Sequence, residues 1–478
     1  MDKLLLIDGE FVPASDGGTR VSTNPATGEE LGSYPLATKE DVERALDAAQ
    51  KGKKVWGAMS LAERKAIVLK AADLFEEHAE EIAQMITAEM GKPIMQARGE
   101  ATEVYSLLRL ACSAAEVHLG QTFPDPAAAD GAVGTLAFTK TEPLGVVVCI
   151  GPFNFPVATL TFKTAPALIM GNAIIIKAPS DCPLLIMRYA EIMQEAGFPA
   201  GVVQALAGPG AKMGEWLVAT PKIDAVTLTG STGVGSQIYQ YSAPYFHRIL
   251  LELGGNDPLV ITADADVDEA VAQSMCRMAN AGQICCITKR FIVDNAIKDV
   301  YLEKLAAAVS GIKVGDPADA ANDMGCMVSE RAAKEVEEQV AHTIEQGAKL
   351  VCGGNRNGAY YDPTVLDVPA GADAASDLEI FGPVWSVIGV DGDEEAIRVA
   401  NQSIFGLNGG VVAGTLEHGI AIASRIESGT VVANGEGSFR SPIHCFGGYK
   451  SSGIGREGIP DLIEEYSQRK TIVVRGLK

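Results

Sequence analysis

Residues 146 to 177 read VVVCIGPFNFPVATLTFKTAPALIMGNAIIIK, and this stretch decides the fold class. Two short β-branched runs, VVVCI (146–150) and AIIIK (173–177), flank a segment with helix-forming composition and spacing. The uncharged stretch from Pro143 to Phe162 approaches the ~20 residues of a membrane helix, but one glycine, two prolines and Asn154 interrupt it. We therefore interpret it as a buried strand, a turn and the start of a helix.

The same alternation continues along the chain. Further strand-like runs are VVQALA (202–207), AVTLTG (225–230) and PLVIT (258–262), and helical segments such as LLIMRYAEIMQEAG (184–197) lie between them. Regular alternation of strand and helix predicts an α/β fold with a parallel sheet covered by helices on both faces.

Other regions extend this organisation. Thr38 and Ser60 each precede an acid by three residues, a pattern that predicts helix starts. A second α/β pattern begins after about residue 255. The segments TLAFTKTE (135–142) and RKTIVVRG (469–476) predict strands outside the main sheet.

Composition and charge exclude several classes of function. A chain of 478 residues, 47% hydrophobic and 21% charged, is long enough for two or three domains. Its net charge of −22 disfavours nucleic acid and anionic membrane surfaces as partners. The apolar run near the start, LLLI, is too short for a signal peptide, so we expect a cytoplasmic protein.

The nine cysteines are odd in number and scattered, without a CxxC pair. This pattern indicates neither a disulfide framework nor a zinc site, and we expect no metal. Most cysteines in such a chain are small buried hydrophobes. The adjacent Cys285 and Cys286 raise the question of whether one of them is reactive.

Two polar side chains stand in settings that suit chemistry. Asn154 lies in GPFNFP, directly after a predicted strand, where an amide could donate to an oxyanion or simply satisfy its own turn. Glu252 lies in the apolar frame LELGG, which would raise its pKa to suit a general base, although a lone glutamate is usually a paired surface acid.

Glycine-rich turns offer possible phosphate sites. LAGPGAKMG (206–214) and LTGSTGVGSQ (228–237) each follow a strand and precede a helix, so their backbone N–H groups could bind a phosphate. Neither has the usual GxGxxG spacing, and both could be plain turns. EIFGPV places Glu379 and Phe381 before another turn.

Together the motifs resemble the aldehyde dehydrogenase superfamily, over essentially the whole chain. In chain order they are GPFNFP, GSTGVG, LELGG, GQICC, EIFGPV and FGGYKSSGIGREG. The resemblance implies a Rossmann-type dinucleotide-binding domain (1–122 and 144–253) and an α/β catalytic domain (254–456). It also implies a small β oligomerisation element (123–143 and 457–478), and hence a homodimer or homotetramer.

The resemblance also implies a mechanism. The family motif GQxC identifies Cys285 as the nucleophile and Cys286 as its non-catalytic neighbour. Asn154 and the Cys285 backbone N–H would hold the oxyanion, and hydride transfer to nicotinamide would leave a thioester. Glu252 would activate the water that releases a free carboxylic acid. Branches that pass the acyl group to coenzyme A typically lack this glutamate, so that alternative is disfavoured, as is a catalytically silent binding protein.

For the cofactor, the resemblance places Gly230 and Ser231 at the pyrophosphate, Lys177 and Glu379 at ribose hydroxyls, and Phe381 near the nicotinamide ribose. NAD-preferring members commonly carry a glutamate three residues after this lysine.

Here that position is Ser180, which permits NADP and could hydrogen-bond a 2′-phosphate. Asp181 beside it keeps NAD open, so we expect NADP or NAD.

Substrate residues are less determined. Phe153 replaces a common tryptophan, and Phe162 stands where succinate-semialdehyde members often have arginine. Arg109 and Arg440 resemble positions that bind small acidic aldehydes, although each could be a structural or solvated arginine. Phe439 directly precedes Arg440 in the sequence. Together with Phe153 and Phe162, it allows an aromatic or medium-chain aldehyde equally well.

Overall fold

The structure, a computed structural model, describes residues 2–118, 120–124 and 134–475. The parts of the predicted domains and strands that fall on residues 1, 119, 125–133 and 476–478 lie outside the described residues. The strands are β1 (Leu5–Ile7), β2 (Glu10–Val12), β3 (Thr19–Thr23), β4 (Glu30–Pro35), β5 (Thr122–Pro124), β6 (Thr135–Pro143), β7 (Val146–Ile150), β8 (Ala173–Lys177), β9 (Val203–Leu206), β10 (Ala225–Thr229), β11 (Arg248–Glu252), β12 (Asp257–Ile261), β13 (Thr288–Asp294), β14 (Lys349–Cys352), β15 (Arg356–Asn357), β16 (Tyr360–Tyr361), β17 (Thr364–Val368), β18 (Val384–Val390), β19 (Phe405–Gly406), β20 (Asn408–Val412), β21 (Thr430–Ala433), β22 (Tyr449–Lys450), β23 (Gly453–Ile454) and β24 (Ser467–Arg475).

The α-helices alternate with these strands through most of the chain. They are α1 (Lys39–Ala58), α2 (Leu61–Glu77), α3 (Ala79–Met90), α4 (Ile94–Ala115), α5 (Ala158–Ile169), α6 (Pro183–Ala196), α7 (Gly210–Val218), α8 (Thr232–Ser242), α9 (Val267–Ser274), α10 (Lys298–Ser310), α11 (Glu330–Glu345), α12 (Gly392–Asn401), α13 (Leu416–Ala423) and α14 (Ile459–Glu465). Both predicted helix starts are confirmed, because Thr38 and Ser60 form capping boxes with Asp41 and Glu63. Among the described residues, no helix is both long and apolar enough to cross a membrane.

The first sheet has the order β2-β1-β9-β8-β7-β10-β11-β23. Its five central strands, from β9 to β11, are parallel, while β1, β2 and β23 pair antiparallel at the edges. The chain runs from β7 outward to β8 and β9, then returns to the other side of β7 as β10. The order therefore reverses between β7 and β10, where an open α/β sheet forms a ligand crevice at the carboxyl ends of its strands.

Burial on both faces explains why these strands read as continuous apolar runs. Every residue of β7, β8 and β10 is buried. Side chains alternate between two cores: Val147 and Ile174 pack on one face, whereas Val148 and Ile175 pack on the other. The predicted parallel α/β class is confirmed.

The second sheet begins just after residue 255, with the order β14-β17-β18-β13-β12-β20-β21. Its strands are parallel except for β14, which pairs antiparallel with β17. The predicted catalytic domain, which ends at residue 456, does not contribute only to this sheet. Near its end, strand β23 pairs with β11 of the first sheet. The first sheet thus gains an edge strand from the range predicted to be catalytic.

A third sheet joins the two isolated strands. β24 pairs antiparallel with β6 from Ser467↔Pro143 to Arg475↔Thr135, and β5 pairs with the other side of β6. Helix α14, although predicted to belong to this element, packs into the core under the first sheet, with Ile459 and Leu462 fully buried.

Asn172 ties the C-terminal segment to the first sheet. Its side chain is fully buried, accepts from the Gly145 N–H at 2.8 Å and donates to the carbonyl oxygens of Ala167 and Tyr466, each at 2.9 Å. One amide therefore satisfies three backbone groups that water cannot reach.

We expect Asn172→Ala to lower the free energy of unfolding by about 3 kcal/mol, because buried backbone groups lose their partners. Urea unfolding followed by circular dichroism measures the change. Asn357→Ala, at an exposed position of β15, is the matched control. Equal stability of the two variants would contradict the role given to Asn172.

Candidate active site

Two cavities meet at the carboxyl ends of β7, β10 and β11. One has a volume of about 360 Å³ and the other about 400 Å³. Four residues line both of them: Asn154, Thr229, Glu252 and Cys285. We name the first the substrate-side cavity and the second the cofactor-side cavity. Groups at their junction can contact ligands that enter from either side.

Asn154 is fixed across the interface between the two sheets. It is 4% exposed, and its Nδ2 donates to the Gln283 carbonyl oxygen at 2.9 Å. Its own carbonyl oxygen accepts from Asn280 Nδ2 at 3.1 Å. The side chain therefore does not merely close its own turn. It lies beside the segment that carries the two cysteines.

That segment enters through a strained turn. Asn280 and Ala281 both have φ of 50°, and Gly282 has φ of 72°. A left-handed alanine is uncommon and persists only where its surroundings hold it. Gln283 provides this support, because its Oε1 accepts from the Val328 N–H at 3.0 Å and its Nε2 donates to the Asn280 carbonyl oxygen at 3.1 Å.

The two cysteines occupy different surroundings. Cys285 lines both cavities, whereas Cys286 borders only the substrate-side cavity and packs against Leu407 and Phe446. Hydrogen bonding with Cys286, followed by burial, raises the pKa of the Cys285 thiol well above its usual value, while Glu252 and nearby Lys289 act in the opposite direction. The thiol thus needs a base to become a nucleophile.

Glu252 ends β11 beside that thiol. It is 3% exposed, and its Oε1 has no hydrogen-bond partner among the described residues. Burial raises the pKa of the carboxyl group well above its usual value, and the charges of Cys285 and Glu457 add to the effect. A carboxyl group with a raised pKa can exchange protons near neutral pH.

Thr229 is a member of the junction that the sequence motifs did not single out. It pairs in register with Glu252 across β10 and β11, and its Oγ1 is buried without a partner in the described part of the chain. Thr229 is the last residue of strand β10 and directly precedes the GSTGVG motif. This position is the feature of the sequence that could have identified it.

The predicted cofactor residues converge on one cavity. The cofactor-side cavity is lined by Phe153, Lys177, Ser180, Gly230, Ser231, Glu379 and Phe381. Asp181 also lines it. The Phe153 and Phe381 rings meet edge to face at 6.0 Å between centroids.

The polar groups of this cavity suit a dinucleotide. Ser231 caps the N-terminus of α8, where backbone N–H groups and the helix dipole favour a phosphate. Burial lowers the pKa of Lys177 to about 8, while the charge of Asp181 acts in the opposite direction. A Cβ at Gly254 would lie 2.4 Å from Glu379 Oε2. Only glycine at this position therefore leaves enough room for the Glu379 carboxylate.

Arg109, which the sequence offered as a substrate residue, is not among the residues that line the substrate-side cavity. Helix α4 turns one face to the cavity, formed by Glu103, Ser106, Leu107 and Leu110. Arg109 lies off this face and pairs with Asp73 at 2.9 Å and with Glu76 of helix α2. Arg109 lies on helix α4, which borders the cavity, but its position around the helix axis directs its side chain towards helix α2.

Phe162 and Arg440 both line the substrate-side cavity. The Arg440 guanidinium lies between the rings of Phe162 and Phe446, at 4.3 and 4.1 Å from their centroids. Its Nη2 is 3.2 Å from Glu457, which also pairs with buried Lys163. Arg440 Nε is buried and without a hydrogen-bond partner among the described residues.

Comparison with known proteins agrees with this geometry. Residues 11–472 match the model of the aldehyde dehydrogenase family. The chain belongs to the aldehyde dehydrogenase family. It is 34% identical to the Escherichia coli succinate-semialdehyde dehydrogenase [NADP(+)] GabD over 98% of this chain and 97% of that protein.

Solved structures of family members are also similar. An NADP-dependent glyceraldehyde-3-phosphate dehydrogenase from Bacillus halodurans, complexed with NADP, has a TM-score of 0.96 and 31% identity over the full length of both chains. An NAD-dependent aldehyde dehydrogenase from Sinorhizobium meliloti has a TM-score of 0.94 and 35% identity over 99% of this chain and 95% of its own. The predicted family, fold and NAD(P)-dependent oxidation of an aldehyde are confirmed.

Within this aldehyde dehydrogenase, Lys289 supports the cysteine segment. Its Nζ donates to the carbonyl oxygens of Ile284 at 3.1 Å and Cys285 at 2.5 Å, and it lies 3.2 Å from Glu379 Oε1. The lysine thus links the backbone of Cys285 to a carboxylate of the cofactor-side cavity. It follows GQICC closely in sequence, but no spacing rule predicts these contacts.

Glu100 supports the Asn154 loop from the opposite side. One carboxylate oxygen accepts from the N–H groups of Val157 and Ala158 at 3.0 and 3.2 Å, which caps the start of α5. The other pairs with Lys92, whose Nζ lies 3.7 Å above the ring of Phe155. The pair therefore holds both the helix start and the residue next to Asn154.

We expect Glu100→Gln to lower kcat about tenfold, because a loosened loop misplaces the Asn154 amide. The measurement is a double-mutant cycle with Asn154→Ala on dehydrogenase activity. If Glu100 acts through Asn154, its substitution has little further effect in the Asn154→Ala background. Full additivity of the two losses would contradict this coupling.

Proposed function

We propose that this enzyme oxidises its aldehyde to a free carboxylic acid through a covalent intermediate on Cys285. One observation carries the proposal: Asn154, Glu252 and Cys285 lie together where the two cavities meet. A binding protein without catalysis would need none of the three there. Each group also has the chemical property that its step requires.

The first step is addition of the Cys285 sulfur to the aldehyde carbon. Glu252, whose pKa is raised by burial, accepts the thiol proton. The resulting oxyanion is stabilised by the Asn154 amide and the Cys285 backbone N–H. Asn154 Nδ2 gives one hydrogen to the Gln283 carbonyl oxygen, which leaves its second hydrogen for the substrate.

The oxidation step depends on the cofactor-side cavity. A bound nicotinamide supplies the hydride acceptor for the oxidation of the thiohemiacetal to a thioester. Lys177 and Glu379 would hold ribose hydroxyls, Gly230 and Ser231 would receive the pyrophosphate, and Phe381 would lie at the nicotinamide ribose. The burial of Lys177 at the wall of this cavity supports this assignment.

Hydrolysis completes the cycle. Once Glu252 has released the thiol proton to solvent, its carboxylate removes a proton from water, the oxygen attacks the thioester carbon, and the carbon–sulfur bond breaks to release the Cys285 thiolate. The carboxylate oxygen Oε1 is free of protein partners in the described residues and is therefore available to a water molecule. This arrangement favours release of the free acid over transfer to coenzyme A.

For the substrate, we propose that Phe162 and Arg440 orient the aldehyde. The Phe162 ring offers an apolar wall, and the unpartnered Arg440 Nε offers one hydrogen-bond donor. Arg109 has no part in this site. The substrate in the name of the E. coli relative does not transfer directly, because Phe162 stands where such members often have arginine.

We also propose a homodimer or homotetramer that assembles through the third sheet. Strand β24 has a partner on one side only within the described residues, β6. Val473 and Val474, which are successive residues of β24 and so point to opposite faces of the sheet, are exposed at 55% and 37%. An open strand edge with apolar side chains is suited to association with a second copy.

Cys285→Ala should abolish both NAD(P)H formation and hydrolysis of an activated ester, whereas Cys286→Ala should retain both. Glu252→Gln should slow acylation, because the thiol loses its base, and should slow hydrolysis of the thioester by more than about a hundredfold, because the attacking water loses the same base. Rapid-mixing measurements then show one NAD(P)H per site in a burst, and mass spectrometry shows the acyl group on Cys285. Full activity of Cys285→Ala would exclude the proposed nucleophile.

We expect the enzyme to use NADP because Ser180 lacks the charge that would repel a 2′-phosphate. Ser180→Glu should lower the ratio of kcat/KM for NADP to that for NAD by about tenfold or more, because like charges repel. Ser180→Ala, which removes only a hydroxyl, is the control and should change the ratio less. An unchanged ratio in Ser180→Glu would place the 2′-phosphate elsewhere.

A further inference from the structure

Lys289 is a buried lysine whose ammonium group lies against the turn that carries Cys285. It is the second residue of β13 and only 2% exposed, although lysine side chains normally extend their charge to water. Its Nζ donates to the carbonyl oxygens of Ile284, Cys285 and Ile287 at 3.1, 2.5 and 3.4 Å. The side chain thus turns back on the residues that precede it and places a positive charge at three carbonyl groups.

The contact with the Ile284 carbonyl oxygen concerns the same peptide group as the Cys285 N–H. The carbonyl and the N–H of a peptide share electrons through the partial double bond between them, so a cation at the oxygen draws electron density from the nitrogen. The N–H then becomes a stronger hydrogen-bond donor. Among the described residues, no backbone carbonyl accepts from the Cys285 N–H, which leaves it available to a substrate oxygen.

Two acids balance the charge of Lys289. Glu379 Oε1 lies 3.2 Å from Nζ, and Asp257, buried at the start of β12, interacts with the same charge over a longer distance. The space beside the turn is narrow, because a Cβ at Gly255 would lie 3.0 Å from the Cys285 carbonyl oxygen and 2.8 Å from Asp257 Oδ1. The ammonium group is therefore held between its counter-ions and the carbonyl groups of the turn.

We propose that Lys289 is a positioning residue that strengthens the Cys285 N–H as a donor to the oxyanion. The inference rests on the proposed function, in which this N–H and the Asn154 amide hold the oxyanion. Lys289 acts through the peptide group between Ile284 and Cys285, since it is not among the residues that line either cavity. Its effect is greatest when negative charge develops on the substrate oxygen, and so it accelerates the reaction rather than tightening substrate binding.

The same charge also acts on the sulfur, and the two effects have to be separated. Hydrogen bonding with Cys286 and burial raise the pKa of the Cys285 thiol, and the charge of Lys289 opposes them. Acylation of Cys285 by p-nitrophenyl acetate passes through an oxyanion before p-nitrophenolate leaves. Alkylation by iodoacetamide displaces iodide from a saturated carbon and forms no oxyanion. Because both reactions use the thiolate, the ratio of their rate constants reports the oxyanion site.

Lys289→Met removes the charge and keeps a side chain of similar length. The rate constant for acylation, measured from the burst of p-nitrophenolate, should fall about tenfold relative to that for alkylation, measured by tandem mass spectrometry of Cys285. This is less than the about hundredfold expected when a donor is lost outright. Lys298→Met is the matched control, because it removes a half-buried lysine that pairs with Asp367 away from both cavities, and it should leave the ratio unchanged.

A second variant addresses the charge that Lys289→Met leaves behind. The double substitution Lys289→Met with Glu379→Gln removes both members of the ion pair, so no buried carboxylate loses its contact partner. Neither reaction of Cys285 needs the cofactor, so a weakened cofactor site does not enter the comparison. The double variant should show the same fall in the ratio. A ratio equal to that of the wild type in both variants would overturn the role of Lys289, including the case in which both rate constants fall together.

Asn154→Ala separates this inference from the proposed function. It removes the other donor to the oxyanion and should lower the same ratio by about a hundredfold. If Asn154→Ala lowers the ratio and the two Lys289 variants do not, the oxyanion site stands and Lys289 has no part in it. If none of the three variants changes the ratio, the proposed oxyanion site is itself wrong, and the inference is overturned with it.

Discussion

The hydrogen bond from Asn154 Nδ2 to the Gln283 carbonyl oxygen, 2.9 Å long, joins the two halves of the candidate active site. Asn154 follows β7 of the first sheet, whereas Gln283 precedes β13 of the second. Neither sheet alone holds both the amide that would stabilise an oxyanion and the thiol that would create one. The reversal of strand order beside β7 creates the crevice. The hydrogen bond fixes the positions of Asn154 and Gln283 relative to each other within it.

Buried charges follow one rule around this centre. Those that shape the site are paired, as in Glu100 with Lys92 and Glu379 with Lys289. Three of the buried polar atoms without partners among the described residues, Glu252 Oε1, Thr229 Oγ1 and Arg440 Nε, belong to residues that line the substrate-side cavity, whereas others, such as Asn280 Oδ1, do not. Since an unpaired buried polar atom is unfavourable, the three at the cavity are positions where a ligand or water can complete the hydrogen bonding.

The sequence predicted what depends on local pattern. Apolar runs located the parallel strands, and hydroxyl–acid pairs located two helix starts, because both signals lie within a few residues. Ordered motifs identified Asn154, Glu252 and Cys285, and the structure brings the three together. The contacts of Arg109 could not be predicted, because the direction of a side chain around a helix depends on which neighbour packs there, here Asp73 and Glu76 of helix α2. The contacts of Glu100 and Lys289 could not be predicted either, since each joins segments that only the tertiary fold brings together.

The difference between Cys285 and Cys286 follows from the turn before them. Three successive left-handed residues, 280 to 282, redirect the chain so that Cys285 lies at the junction of the cavities and Cys286 packs beside Leu407 and Phe446. The same burial that excludes water also raises the pKa of the Cys285 thiol, so the resting site is not strongly reactive. Burial likewise raises the pKa of the Glu252 carboxyl group. Because burial favours the neutral form of both groups, Glu252 must release its own proton before it can act as the base of the proposed mechanism.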